Sequence, residues 1–169
     1  MFVVWGGAWL SASRLPQARA AVGTVDIRMQ GRADGSHVWF DPIGLHIAPG
    51  QSIRWTNQDP GNSHTATAYH PAILTRPLRM PENAKPWDSD YLLPNDTFTV
   101  TLSTPGVYDY YCQPHEHAGM VGRIVVGTPP PGSWIDLPGE SSGKDLPKAA
   151  LDAFPSVAEI IEKGMVRRV

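Results

Sequence analysis

The chain has 169 residues, 41% of them hydrophobic, and a formal net charge of −2 at neutral pH. That length suits one domain with residues to spare, and no apolar stretch reaches the length of a bilayer span. Acidic and basic residues are mixed along the chain, without the basic stripe of a nucleic-acid binder.

Residues 1–20 read as an export leader. An apolar run over residues 1–10 is followed by polar residues and then by Ala18-Arg19-Ala20, an A-x-A cleavage pattern. No Lys or Arg precedes the apolar run, which departs from the usual leader. Its removal takes away Arg14 and Arg19 and no acid, leaving 12 basic and 16 acidic residues. A slightly acidic chain without a membrane span fits the periplasm.

From there the pattern is strand after strand. Residues 22–29 alternate, and 37–40 and 43–48 are short β-type runs separated by an Asp41-Pro42 turn. After Pro49-Gly50, residues 51–57 place Ile53 and Trp55 on one face. Residues 64–69 read as another strand, and 97–102 align Phe98, Val100 and Leu102. Pro105-Gly106 turns the chain into 107–112, and 121–126 closes the set. Seventeen prolines and sixteen glycines punctuate these runs. Seven or eight short strands so arranged predict an all-β, antiparallel β-sandwich over residues 21–127.

Two regions exceed a minimal sandwich. Residues 70–96 carry Pro71, Pro77, Pro81, Pro86 and Pro94, which disfavours a long strand and marks a long loop insertion. Residues 128–169 form a tail that opens with the Pro-rich linker Pro129-Pro130-Pro131-Gly132. Later in it, Ser156 and Glu159 make a capping box before an apolar turn ending at Gly164, which predicts one short helix.

The single cysteine excludes an intramolecular disulfide. It sits in the chain's densest chemistry, Tyr110-Tyr111-Cys112-Gln113-Pro114-His115-Glu116-His117-Ala118-Gly119-Met120. A thiolate, two imidazoles and a thioether fall within nine residues between two strands. Thiolate and thioether are soft donors that favour copper, and His₂Cys with a weak axial Met is the arrangement of electron-transfer copper sites. The loop supplies Cys112, Met120 and one imidazole, from His115 or His117; a further imidazole must come from elsewhere. His64 is the best supplier, because it follows the turn Asp59-Pro60-Gly61-Asn62-Ser63 and opens a β-type run. His70 lies six residues further on, roughly 20 Å along an extended strand, too far to share one ion. His37 and His46 lie in early strands and read as structural or exposed.

The run from Tyr110 to His115, with Gly119-Met120-Val121-Gly122, resembles the copper loop of plastocyanins and pseudoazurins. Trp55-Thr56-Asn57-Gln58-Asp59 leading to His64-Thr65 is similar to the strand and turn that bring the first ligand histidine in small cupredoxins. The resemblance covers roughly residues 22–126 and implies a Greek-key cupredoxin sandwich holding one type 1 copper ion. It also implies the ligand set His64, Cys112, His115 and Met120. The spacing of Cys112, His115 and Met120 follows the plastocyanin type, which leaves His117 at the surface or behind the ligands. Three departures stand out. Thr65 replaces the usual Asn after the first ligand, residues 70–96 are long, and the tail has no counterpart in a minimal plastocyanin. In that family an aromatic beside the ligand cysteine marks a remote electron-entry patch, and Tyr111 occupies the place here.

The function implied is one-electron transfer between periplasmic redox partners, a cytochrome or a copper oxidoreductase, by a monomer without enzymatic activity. The alternative is a periplasmic copper carrier or chaperone that binds Cu(I), which would not need Cys112. A copper enzyme requires a second site with further histidines. A third rival is a zinc-binding structural module, for which a single Cys and two His can in principle serve.

Overall fold

The computed structural model describes residues 23–134 and 146–168. The leader expected at residues 1–20 lies outside them. Among the described residues no helix is long and apolar enough to cross a membrane.

Among the described residues, nine strands form two sheets. They are β1 (Thr24–Gly31), β2 (Val38–Asp41), β3 (Gly44–Ile47), β4 (Gln51–Asn57), β5 (Thr67–Ala68), β6 (Thr97–Leu102), β7 (Gly106–Tyr111), β8 (Val121–Val126) and β9 (Met165–Val166). One sheet runs β2-β1-β4-β6 and the other β5-β7-β8-β3-β9. Most pairings are antiparallel, as expected, but β1 with β4 and β3 with β8 are parallel. A six-residue 3-10 helix (Gln113–Ala118) joins β7 to β8.

The inward faces follow the two-residue period of the sequence. Ile27, Met29, Phe40, Ile53 and Trp55 meet Leu45, Ile47, Tyr108, Tyr110, Ile124 and Val126 in one buried cluster that also contains Cys112 and Met120. Each such side chain contributes about 1.5–3 kcal/mol by leaving water. The ring of Tyr110 lies over Gly122, where a Cβ would fall 2.3 Å from it, so this position of β8 takes no side chain.

All six residues of β7 and of β8 are buried, which a one-sided sandwich does not produce. The cause is the tail. Its described residues form two short helices where one was expected, α1 (Lys148–Ala153) and α2 (Val157–Lys163), and return as β9 against β3. The predicted cap is present: Ser156 Oγ accepts from the Glu159 amide at 3.1 Å, and Gly164 ends α2 at φ +72°. Val157 and Ile160 cover Ile43, Val107 and Val125, while Leu146 and Ala150 cover Tyr69, Tyr111 and Val121. Under this lid Asp109 is held by Arg79 at 2.7 Å and by Arg123 at 2.7 Å, all three nearly sealed from water. The Phe154 ring packs over both guanidiniums, and Arg123 also donates to the Pro155 carbonyl.

Residues 70–96 contain no strand of their own beyond isolated bridges, Leu92 with His64 and Asp88 with Thr67. The strand expected over 64–69 shrinks to Thr67–Ala68. Its neighbours bond to the insertion instead, Ala68 to the Trp87 carbonyl and the Ser89 amide to Ala66.

Candidate metal centre

Cys112 follows the last residue of β7 and Met120 precedes β8, so the sheet fixes both ends of the loop between them. The Cys112 amide donates to the Met120 carbonyl at 3.0 Å, closing the loop at its neck. Inside it, the amide of His115 reaches the Cys112 carbonyl, and that of Met120 reaches the His115 carbonyl, both at 3.1 Å. Gly119 takes the left-handed turn at φ +81°, where a Cβ would press on the Ala149 carbonyl of α1 at 3.0 Å.

His64 comes from the other side, held by two backbone bonds with Leu92. Its Nδ1 lies 3.2 Å from His115 Nδ1 and 3.6 Å from Cys112 Sγ, and His115 Nδ1 lies 3.4 Å from that sulfur. A point at the middle of this triangle is about 2 Å from each corner, close to the usual metal–imidazole and metal–thiolate lengths. His64 and Cys112 are completely buried and His115 is half-buried. Among the described residues, this is the one group of three or more His, Cys, Asp or Glu donors close enough to share an ion.

A family model for copper-binding proteins of the plastocyanin/azurin type matches residues 27–127. The chain belongs to that family. It is 33% identical to a chloroplastic plastocyanin of Physcomitrium patens over 125 residues, 72% of this chain and 68% of that protein. With plastocyanin of Prochlorothrix hollandica it shares 33% over 112 residues, 66% of this chain and 79% of the other. Against the chloroplastic plastocyanin of Tetradesmus obliquus, 36% identical over 95 residues, it spans 62% of the relative's length. A pseudoazurin from Sinorhizobium meliloti superposes with a TM-score of 0.57 at 29% identity, covering 84% of this chain and 98% of the pseudoazurin. That span is longer than residues 1–127, so the likeness takes in part of the tail.

The donor set fits the family's metal. One soft thiolate and two imidazoles converge in a dry pocket, consistent with a type 1 copper site. Met120, also fully buried, lies in the same apolar cluster as Cys112. The other histidines stay apart from the cluster. His117 is exposed on the 3-10 helix. His70 accepts from the Ala72 amide, His46 meets the Gly127 carbonyl, and His37 stacks on Trp39.

Two points raised by the resemblance are resolved by the structure, and the second is a correction. The link between the ligand loops survives the change from Asn to Thr. The Thr65 amide points at Cys112 Sγ from 3.3 Å, and its hydroxyl accepts from the Gln113 amide at 2.9 Å. Tyr111, by contrast, is not at a surface patch. It is 2% exposed, stacked on Tyr69 at 4.4 Å and roofed by Arg76 and α1.

Sequence reasoning missed the groups that hold this loop from outside. Glu116, inside the loop, accepts from the Tyr69 hydroxyl at 2.7 Å and pairs with Arg76. Gln113 Nε2 donates to Asp88 at 2.9 Å. The insertion therefore grips the 3-10 helix at both Gln113 and Glu116. Behind His64, Nε2 faces Asp59 Oδ2 at 3.0 Å.

These surroundings set the protonation states. Burial holds the His64 imidazolium below its ordinary pKa despite the Asp59 carboxylate, and burial lowers His115 as well. Burial pushes the Cys112 thiol up to about 11, against hydrogen bonds from Thr65 and the His115 amide that lower it. Burial also acts to raise Asp59, but hydrogen bonds from Asn62, Gly61 and His64 outweigh it and keep the carboxyl below the usual range. At neutral pH both imidazoles offer a lone pair, and the thiol must lose a proton to become a ligand.

Proposed function

We propose that this protein carries one electron at a time on a single type 1 copper ion, which His64 Nδ1, Cys112 Sγ and His115 Nδ1 would hold, with Met120 as a fourth, weaker donor. The observation that carries this reading is the preformed triangle of donor atoms, 3.2 to 3.6 Å on a side and buried. Copper supplies the one-electron couple between Cu(II) and Cu(I). The chain's own part is to keep the donors still. Cys112 is tied to both Met120 and Thr65, His115 is bonded within the loop, and His64 is wedged between Leu92 and Asp59. Donors that need not move between the two oxidation states suit rapid electron transfer. Half-buried His115 gives the electron its shortest way to solvent.

In this reading the work is electron carriage rather than catalysis, as the likeness to plastocyanins supports. Residues 1–20 serve as an export leader, 21–127 form the copper domain with its insertion at 70–96, and 128–169 are its tail. The protein then acts in the periplasm between redox partners, a cytochrome or copper oxidoreductase, as a monomer.

The decisive experiment is the visible spectrum of the protein loaded with Cu(II), before and after reduction. An intense thiolate-to-copper band that bleaches on reduction, and is absent from Cys112→Ser, supports the reading. A pale copper protein whose Cu(I) affinity survives Cys112→Ser replaces it with the copper-carrier alternative. Met120→Ala tests the fourth donor: it is expected to stay coloured but change its reduction potential.

A further inference from the structure

The turn before His64 is built around one buried carboxylate. Asp59 is 2% exposed and the His64 ring is fully sealed. Oδ2 of Asp59 receives His64 Nε2 at 3.0 Å and Asn62 Nδ2 at 2.8 Å, while Oδ1 receives the Gly61 amide at 2.9 Å. The Asp59 amide donates to Asn57 Oδ1 at 2.9 Å, and Asn57 Nδ2 ties the Asn62 and Leu92 carbonyls at 2.8 and 2.9 Å. Leu92 is the residue that also holds the His64 backbone. At the end of β1, Gly31 leaves the space that the carboxylate fills, for a Cβ there would fall 1.8 Å from Oδ2. Among the described residues no Lys or Arg pairs with Asp59.

We propose that Asp59 is a positioning residue of the metal site, which locks the His64 ring with Nδ1 toward the donor triangle and biases the site toward its oxidised state. The inference rests on the function proposed above. An ionised carboxylate only accepts hydrogen bonds, so the proton of the His64 ring is held on Nε2 and the lone pair on Nδ1. The same carboxylate is a negative charge behind a metal ligand in a water-poor pocket, where charges act on one another more strongly than in solvent. It stabilises the more positive metal state over the less positive one.

The test is Asp59→Asn, which keeps the volume and one accepting oxygen and removes the charge. The thiolate-to-copper band should persist. At a fixed applied potential the Cu(II)/Cu(I) ratio should move at least tenfold toward Cu(I), a rise of about 59 mV for a one-electron couple. An intact band with an unchanged potential overturns the proposal and leaves the copper site standing. No copper band in the unaltered protein overturns the copper site itself.

A second measurement needs neither copper nor the variant's folding. Nitrogen NMR of the copper-free protein should show His64 as the Nε2–H tautomer, with that proton exchanging slowly. A His64 protonated on Nδ1, or one whose Nε2 proton exchanges at the solvent rate, overturns the locking role.

Discussion

The Thr65 amide and the Cys112 sulfur face each other at 3.3 Å, across the gap between the two segments that bring the metal-site donors together. Thr65 makes the join twice, because its hydroxyl also accepts from the amide of Gln113, the residue after the cysteine. Thr65→Val keeps the branched shape and the N–H toward sulfur but leaves the Gln113 amide without that acceptor. The expected cost is about 1–3 kcal/mol of stability, read from denaturant unfolding of the copper-free protein. An unchanged midpoint would mean that the hydroxyl does not hold the loops together.

The raised pKa of Cys112 predicts how the copper-free protein responds to alkali. A thiol at about 11 in the folded chain holds its proton more tightly than in the unfolded chain, where the value is about 8.5. Its contribution is complete below the unfolded value and is lost as pH rises through the folded one. Unfolding midpoints should therefore fall between about pH 9 and 11, and this part of the fall should be missing from Cys112→Ser. Copper uptake at neutral pH should likewise release a proton from the thiol. Acidification of a weakly buffered solution reports it.

Glu116 is the loop's outer anchor, reached by Tyr69 and by Arg76 from the insertion. Glu116→Ala leaves both partners without it. The loss should be about 2 kcal/mol, below the 3–5 kcal/mol of a fully buried pair, because a fifth of the Arg76 side chain still meets water. Adding Arg76→Met should recover part of the loss. If the two losses simply add in thermal unfolding, the pair is not coupled.

The two tail helices are expected to be part of the folded unit. A chain ending at residue 134 bares Val107, Val125, Tyr111 and Val121 on the outer face of β7 and β8. Its melting temperature should fall, and it should bind a hydrophobic dye that the full chain excludes. Equal dye binding by both chains would show that the helices do not cover this sheet.

The strands that the sequence located to the residue, β4, β6 and β8, have clear turns or alternation at their ends. Residues 64–69 misled, because a β-type run of Thr and Ala found its partners in the irregular insertion rather than in a long neighbouring strand. The resemblance puts Tyr111 at a surface patch. The helices that dry it lie some 40 residues downstream, beyond the reach of any local pattern. The candidate donors stood out because Cys112, His115 and Met120 are close in sequence and chemically distinctive; the structure groups two of them, Cys112 and His115, with His64. Asp59 was not, since an acid beside Pro-Gly reads as a turn former, and its role depends on the vacancy at Gly31 in a distant strand.

The burial of Tyr111 has a kinetic consequence. On the electron-carrier reading, the route through the neighbour of the cysteine is roofed by Tyr69, Arg76 and α1, while His115 stays within reach of solvent. Donor and acceptor must then use the same doorway in turn. Each delivery becomes a relay of two successive handshakes, with no moment at which both partners hold the carrier. An excess of either partner should therefore crowd out the other.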